Sequence, residues 1–268
     1  MLLRETGFTF DGKHCRNDFG LIYAEKDGHT IVPRIRRNEY SIAGMSGSVL
    51  FDGEEWQTIT FEGTLYPAKE RATQAAAQPM LRRVARWLTA GRRPLIFDYE
   101  PKVYYMAQLS EASKWSLKNW FGGEISVRFE AQPFAYSVEP QTFSASESGD
   151  GDVSAAIDMK TNYPAGFTVT VSPTGTAGLT GAELALDGTV FASFSGLDLG
   201  CGEALTVCME PPIGATVADG VTMENALPHA GVFRPALIPR GASTLTVTPE
   251  YGSGTAGAVV VITARGRW

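Results

Sequence analysis

Residues 125–131 read Ile-Ser-Val-Arg-Phe-Glu-Ala, and this alternation decides the fold class of the chain. Successive side chains of an extended strand point to opposite faces. One face therefore carries the apolar set Ile125, Val127, Phe129 and Ala131, and the other carries Ser126, Arg128 and Glu130. The pattern predicts an antiparallel strand that is buried on one face and solvated on the other.

The same alternation recurs further along the chain, at Phe167/Val169/Val171, Leu205/Val207/Met209 and Leu245/Val247, and an apolar run occupies residues 259–262. The 29 glycines and 15 prolines are spread along the 268 residues rather than gathered in one tract. Such a distribution is typical of many short elements joined by tight turns. The sequence therefore predicts a mainly β protein.

Asp-Gly pairs next to apolar alternation predict hairpin turns. A type I′ turn needs two residues that tolerate positive φ, and this dipeptide supplies them. The chain has five such pairs, at residues 11–12, 27–28, 52–53, 187–188 and 219–220. Hairpins are therefore expected in both halves of the chain.

One segment has the 3.6-residue period of an amphipathic helix. Its apolar stripe consists of Leu81, Val84, Ala85 and Leu88. Pro79 is predicted in the first turn and Gly91 as the stop, with a separate helical turn over residues 68–77 ending at that proline. Three basic side chains fall off the stripe and are expected to face solvent or a partner; they are Arg82, Arg83 and Arg86.

A polar stretch rich in Ser, Gly and Asp over residues 140–155 is predicted to be a linker or long loop. It divides the chain near residue 140 into a first domain, 1–140, and a nearly pure β second domain, 141–268. Residues 1–135 contain 18 basic and 16 acidic residues, a net charge of +2, whereas 136–268 contain 5 and 13, a net charge of -8. Neither half is basic enough to make nucleic-acid binding the leading hypothesis.

The sequence predicts neither secretion nor membrane insertion. Its first residues lack a basic start followed by a long apolar run, and no stretch approaches the roughly 18 uncharged apolar residues of a membrane helix. The three cysteines, Cys15, Cys201 and Cys208, are odd in number and lack zinc-site spacing. We expect them to be free thiols.

No catalytic, cofactor-binding or metal site is predicted. Residues 252–257 match the dinucleotide pattern G-x-G-x-x-G, but a strand follows where a phosphate cradle needs a helix, so a hairpin loop is expected. His14 adjoins Cys15 with no further ligand at metal spacing, and Ser46 lacks the nucleophile-elbow pattern. A group of three aspartates lacks the ligand spacing and the bidentate glutamate of a calcium-binding loop; its members are Asp150, Asp152 and Asp158.

Several segments, taken in order, resemble the distal tail protein family of long, non-contractile-tailed bacteriophages. They include Asn17-Asp-Phe-Gly-Leu-Ile, Tyr40-Ser-Ile-Ala-Gly-Met, Ile59-Thr-Phe-Glu-Gly-Thr-Leu-Tyr, Arg83-Val-Ala-Arg-Trp-Leu and Leu95-Ile-Phe-Asp-Tyr-Glu-Pro. The succession continues through residues 125–136, and residues 199–207, 217–221 and 237–247 resemble the second domain of that family.

This resemblance implies an N-terminal β-sandwich with one helix and a β-hairpin, followed by a galectin-like antiparallel β-sandwich. It also implies a structural virion protein of the tail tip, assembled in the host bacterial cytoplasm as a homo-hexameric ring. The ring would join the tail tube to the tail-associated lysin or fibre hub and could support receptor-binding proteins. No cofactor is implied, and Arg82, Arg83 and Arg86 become candidate subunit or tube contacts.

A carbohydrate-binding β-sandwich module is the alternative hypothesis. Aromatic residues that could line a sugar platform are Trp115 with Trp120 and Phe134 with Tyr136. Ordinary core and sheet packing would explain the same residues.

Overall fold

A computed structural model describes residues 7–26, 33–41, 46, 48–68, 74–111, 115–119, 122–218 and 223–268. The chain divides into two compact units, Met1–Val138 and Glu139–Trp268. Both consist mainly of antiparallel strands, which confirms the predicted fold class. Across the described residues, none of the helices combines the length and the apolar character needed to cross a bilayer.

The first unit is built on one eight-stranded sheet with the order β2-β1-β7-β8-β10-β6-β3, and β9 also pairs with β10. A separate two-stranded sheet is formed by β4 and β5. The elements are β1 Phe8–Phe10, β2 Lys13–His14, α1 Cys15–Phe19, β3 Leu21–Glu25, β4 Ile35–Ser41, β5 Ser48–Trp56, β6 Ile59–Pro67, α2 Gln74–Leu88, β7 Arg93–Phe97, β8 Val103–Leu109, β9 Trp115–Asn119 and β10 Gly122–Ser137.

The large sheet of the first unit curls around its core. Strands β1 and β3 are five pairings apart, which in a flat sheet would separate them by roughly 24 Å. Yet the rings of Phe8 on β1 and Tyr23 on β3 lie with centroids 5.1 Å apart. A single curled sheet thus encloses the core of the first unit.

Two of the predicted hairpin turns are confirmed by their backbone angles. Asp11 and Gly12 have φ of 50° and 71°, and Asp187 and Gly188 have 48° and 79°. The pair at 52–53 was predicted wrongly, because β5 runs through it and its pairing with β4 shifts there in a bulge. The pairs at 27–28 and 219–220 lie outside the described residues.

The predicted helix exists, but its start and its apolar stripe differ from the prediction. Helix α2 begins at Gln74, so Pro79 lies inside it rather than in its first turn. The proline is exposed, so the carbonyl that loses its helical hydrogen bond can bond to water instead. Ala85 is exposed, whereas Met80 and Trp87 join Val84 and Leu88 in the core. Gly91 follows the helix with φ of 81°, in keeping with the predicted stop.

The second unit is a β-sandwich whose two sheets have the orders β11-β21-β13-β16-β17-β18 and β12-β20-β14-β15-β19. Alternate apolar residues of both sheets form one core. The strands are β11 Gln141–Glu147, β12 Val153–Met159, β13 Phe167–Pro173, β14 Leu179–Leu186, β15 Thr189–Leu199, β16 Ala204–Cys208, β17 Gly214–Ala218, β18 Met223–Asn225, β19 Ala230–Phe233, β20 Gly241–Tyr251 and β21 Ala258–Ala264.

Two loop predictions in the second unit need correction. Most of the stretch read as a linker forms β11 and the start of β12, with only residues 148–152 as a turn between them. Among the described strands β11 pairs only with β21 and lies at the edge of its sheet, so its outward Ser and Thr residues remain in water and give it a loop-like composition. Residues 252–257 form a loop, but it connects strands of different sheets and is not a hairpin.

Candidate interaction surface on the first unit

The outer face of α2 carries the three arginines singled out from sequence. Arg82, Arg83 and Arg86 are all exposed, because Ala77, Val84 and Trp87 on the opposite side of the helix fill the core. The structure separates the roles of the three. Arg83 and Arg86 line a surface depression of about 600 Å³, here called the helix depression, and Arg82 lies outside it.

Arg83 is held in place by helix α1. Its Nη2 donates a hydrogen bond to the carbonyl oxygen of Asp18 over 3.2 Å. Its guanidinium carbon lies 5.6 Å from the ring centroid of Phe19, within the range of a cation–π contact. Arg83 is therefore a structural link between α1 and α2 as well as an exposed charge.

Helix α1 is short and depends on its caps. The Nδ1 atom of His14 accepts hydrogen bonds from the backbone N–H groups of Arg16 and Asn17 at 3.1 and 3.2 Å. This assigns the imidazole hydrogen to Nε2, which donates to the Asp98 carboxylate at 3.0 Å. Gly20 ends the helix in the left-handed conformation, with φ of 65°.

An aromatic stack joins α1 and α2 to the core. The rings of Phe19 and Trp87 are stacked with centroids 4.4 Å apart, and Phe8 stacks on Trp87 at 5.5 Å. Trp87 Nε1 also donates a 2.7 Å hydrogen bond to the carbonyl oxygen of Phe10. The floor beneath the helix depression is thus fixed by packing and by one buried hydrogen bond.

The helix depression has a basic balance. Its charged lining residues are Asp11, Lys13, Asp18, Arg83 and Arg86, and the Asp11 carboxylate also lies 3.3 Å from Nε of Arg93. Asp18 Oδ2 accepts a hydrogen bond from the His14 backbone. Within the described residues, Lys13 and Arg86 have neither an ion pair nor a side-chain hydrogen bond. These two cations are available to an anionic partner.

The neighbouring Cys15, His14 and Asp98 do not form a nucleophilic site. Burial raises the pKa of the Cys15 thiol to about 11, so it stays protonated near neutral pH. His14 Nδ1, which would act as a base, is already occupied by the cap of α1. Among the residues that the structure describes, no three His, Cys, Asp or Glu side chains gather as metal ligands.

The aromatic residues considered for a sugar platform are used in packing as far as the structure describes them. Phe134 packs against Trp56 with centroids 5.8 Å apart, and Tyr136 stacks on Tyr104 at 5.5 Å. Trp120 and the side chain of Trp115 lie outside the described part of the chain.

The sequence interpretation missed α1 and the part that Phe19 and Trp87 play beneath the arginines. A signal for α1 was available, because Asp18-Phe19-Gly20 places a glycine where a short helix would end. Trp87 could not be placed from sequence, since the stripe chosen there was rotated toward Ala85.

Two of the solved structures that match this chain do so over nearly its whole length. One is the Dit protein of phage SPP1, described as a paradigm of the hub adsorption apparatus in phages that infect Gram-positive bacteria. It matches with a TM-score of 0.69 and 15% identity, covering 98% of each chain. The other is from the baseplate of phage P2 in its activated conformation with Ca, with a TM-score of 0.51, 11% identity, and coverage of 96% and 97%.

No protein-family model matches the chain, and no curated protein matches it significantly. The two structural matches show that this chain has the fold of those proteins. The resemblance inferred from sequence is confirmed at the level of the fold.

Proposed function

We propose that this chain is a structural virion protein of a phage tail tip, a distal tail component. The observation that carries the proposal is the match to SPP1 Dit over 98% of both chains. A match of that coverage includes both units in the same order, rather than one common β-sandwich alone. The fold by itself does not fix function, so the proposal rests on the agreement of fold, length and unit order.

In this proposal the first unit assembles into a homo-hexameric ring. Strands β4 and β5 support self-association, because among the described strands they pair only with each other. A two-stranded ribbon is only marginally stable in water by itself, and the edge of a strand is a template for pairing with another chain. A neighbouring subunit in a closed ring would cover such a ribbon.

The ring would connect the tail tube to the tail-associated lysin or fibre hub and support receptor-binding proteins, without chemistry of its own. The protein would assemble in the host cytoplasm and reside at the virion tail tip. The second unit, with its net charge of -8, is proposed at the periphery, since six copies carry -48 in total and repel one another around a narrow axis.

The test is native mass spectrometry with negative-stain imaging of the purified chain, alone and with a tail-tube partner. A six-fold ring under either condition is the expected result. A strictly monomeric chain under both conditions would refute the proposed assembly. Strong binding of the monomer on a glycan array would favour the carbohydrate-binding alternative.

A further inference from the structure

A second charged depression lies on the outer face of β6 and β10, and we call it the sheet depression. It has a volume of about 400 Å³, and its charged and aromatic lining residues are Lys26, Glu62, Tyr66, Glu111, Glu124 and Arg128. Arg128 lies between two carboxylates, with Nε 3.3 Å from Glu62 and Nη1 bonded to Glu111. Tyr66 is 40% exposed at this surface.

The two depressions belong to different surfaces of the first unit. Trp87 on α2 and Phe129 on β10 are both buried, and the ring of Phe8 contacts both, with centroids 5.5 and 5.4 Å apart. Arg86 on α2 and Arg128 on β10 belong to the exposed faces of those same elements. Each arginine therefore points away from the core, and the two line different surfaces of the unit.

The two surfaces also have opposite charge balances. The helix depression is lined by three basic residues and two acidic ones, and the sheet depression by three acidic residues and two basic ones. At the sheet depression one guanidinium is shared by two carboxylates, so a further cation would be attracted there. At the helix depression Lys13 and Arg86 supply cations that have no ion pair among the described residues.

We propose that the helix depression of one copy docks on the sheet depression of the next copy, with Arg86 directed toward Glu111 and Glu62. This inference rests on the proposed ring and names the surfaces that form it. A closed ring of identical subunits needs a head-to-tail interface made of two different surfaces. A basic surface repels its own copy, whereas these two surfaces are complementary in charge and are formed by different residues.

Aromatic side chains strengthen the same pairing. Tyr66 at the sheet depression offers its ring to an incoming arginine, and Phe19 at the helix depression already holds Arg83 in this way. Arginine and tyrosine are among the side chains that most often carry binding energy at interfaces. Because the attraction is between charges at the margin of a contact, assembly should weaken as salt is added.

The experiment uses charge reversal in the full chain. Arg86→Glu and Glu111→Lys each place like charges across the proposed contact, and the double variant restores opposite charges at every contact of the ring. Arg86 is exposed and unpaired among the described residues, and the Glu111 side chain is 62% exposed, so neither change should disturb folding. Lys102→Glu is the matched control, an exposed charge reversal that lines neither depression.

The readout is the protein concentration at half-assembly, under the condition in which the unaltered chain forms rings, with circular dichroism to verify folding. Each single variant should raise this concentration on the order of tenfold or more, the double variant should recover most of the loss, and the control should leave it unchanged.

Three other outcomes would overturn either this interface or the proposed function. Rings that form normally from both single variants overturn this pairing and leave the proposed function intact. A defect in Arg86→Glu that Glu111→Lys neither reproduces nor rescues assigns the helix depression to another acidic surface, such as the second unit or a tail protein. Failure of the unaltered chain to assemble under any condition overturns the proposed function and this inference with it.

Discussion

Replacing Trp87 with phenylalanine tests whether the stack beneath the helix depression holds the first unit together. The tryptophan is 3% exposed, stacks on Phe19 and Phe8, and donates a hydrogen bond to the carbonyl oxygen of Phe10. Phenylalanine keeps an aromatic ring but removes the donor and part of the contact area. The change in stability therefore reports what the indole hydrogen bond and the larger ring contribute beyond an apolar aromatic side chain.

The expected loss has two parts. Removing a buried hydrogen-bond donor costs about 1 to 2 kcal/mol, and the smaller ring loses about 1 to 2 kcal/mol of packing. The free energy of unfolding of the first unit should thus fall by roughly 2 to 4 kcal/mol, equivalent to a Tm lower by roughly 10 °C.

Urea denaturation followed by tryptophan fluorescence is the assay. The first unit contains Trp56, Trp87, Trp115 and Trp120, whereas the second contains only Trp268, so the signal mainly reports the first unit even after the substitution. Arg82→Ala on the same helix is the control and should change stability by less than about 0.5 kcal/mol. A loss below about 1 kcal/mol for the phenylalanine variant would refute the anchoring role.

Three further outcomes are expected. Gly175→Ala should destabilise the second unit by about 2 kcal/mol or more, because the added Cβ would overlap the backbone carbonyl oxygen of Thr255; a Tm unchanged from that of the native chain would contradict this. In thiol titration, Cys201 should react fast in the native state and Cys15 slowly, since burial and a pKa near 11 keep the latter protonated, and denaturation should release three thiols per chain; a total near one would mean a disulfide. The fragment 1–140 expressed alone should form the ring, and a folded but monomeric fragment would make the second unit the organiser.

Local chemistry determined several features of this protein without any tertiary information. Asp11-Gly12 and Asp187-Gly188 specify their hairpins because each pair adopts the two positive φ angles that the turn requires. The alternation at 125–131 specifies a strand with one buried face, and every predicted inward residue there is buried. These signals lie within a few residues of the structure they produce.

Features that depend on distant residues could not be obtained in this way. The Asp-Gly pair at 52–53 has the same local preference as the other two, but pairing between β4 and β5 places it in a bulge. Residues 141–147 have the composition of a loop, and only hydrogen bonds to β21, more than a hundred residues away, make them a strand. Tertiary pairing overrides local preference at both places, because a complete strand contributes more hydrogen bonds than one turn.

The candidate interaction surface also combines features that the sequence determined with features that only the tertiary structure decided. The sequence determined that Arg82, Arg83 and Arg86 lie off the apolar stripe of a helix, since side-chain direction follows from the helical period alone. Only the tertiary structure decided that Arg83 is held by Phe19, that Arg86 lines the helix depression, and that Glu62, Glu111 and Glu124 line a separate depression. The physical reason is that such contacts join segments far apart in the chain, and the curl of the sheet around Phe8 and Trp87 sets the distances between them.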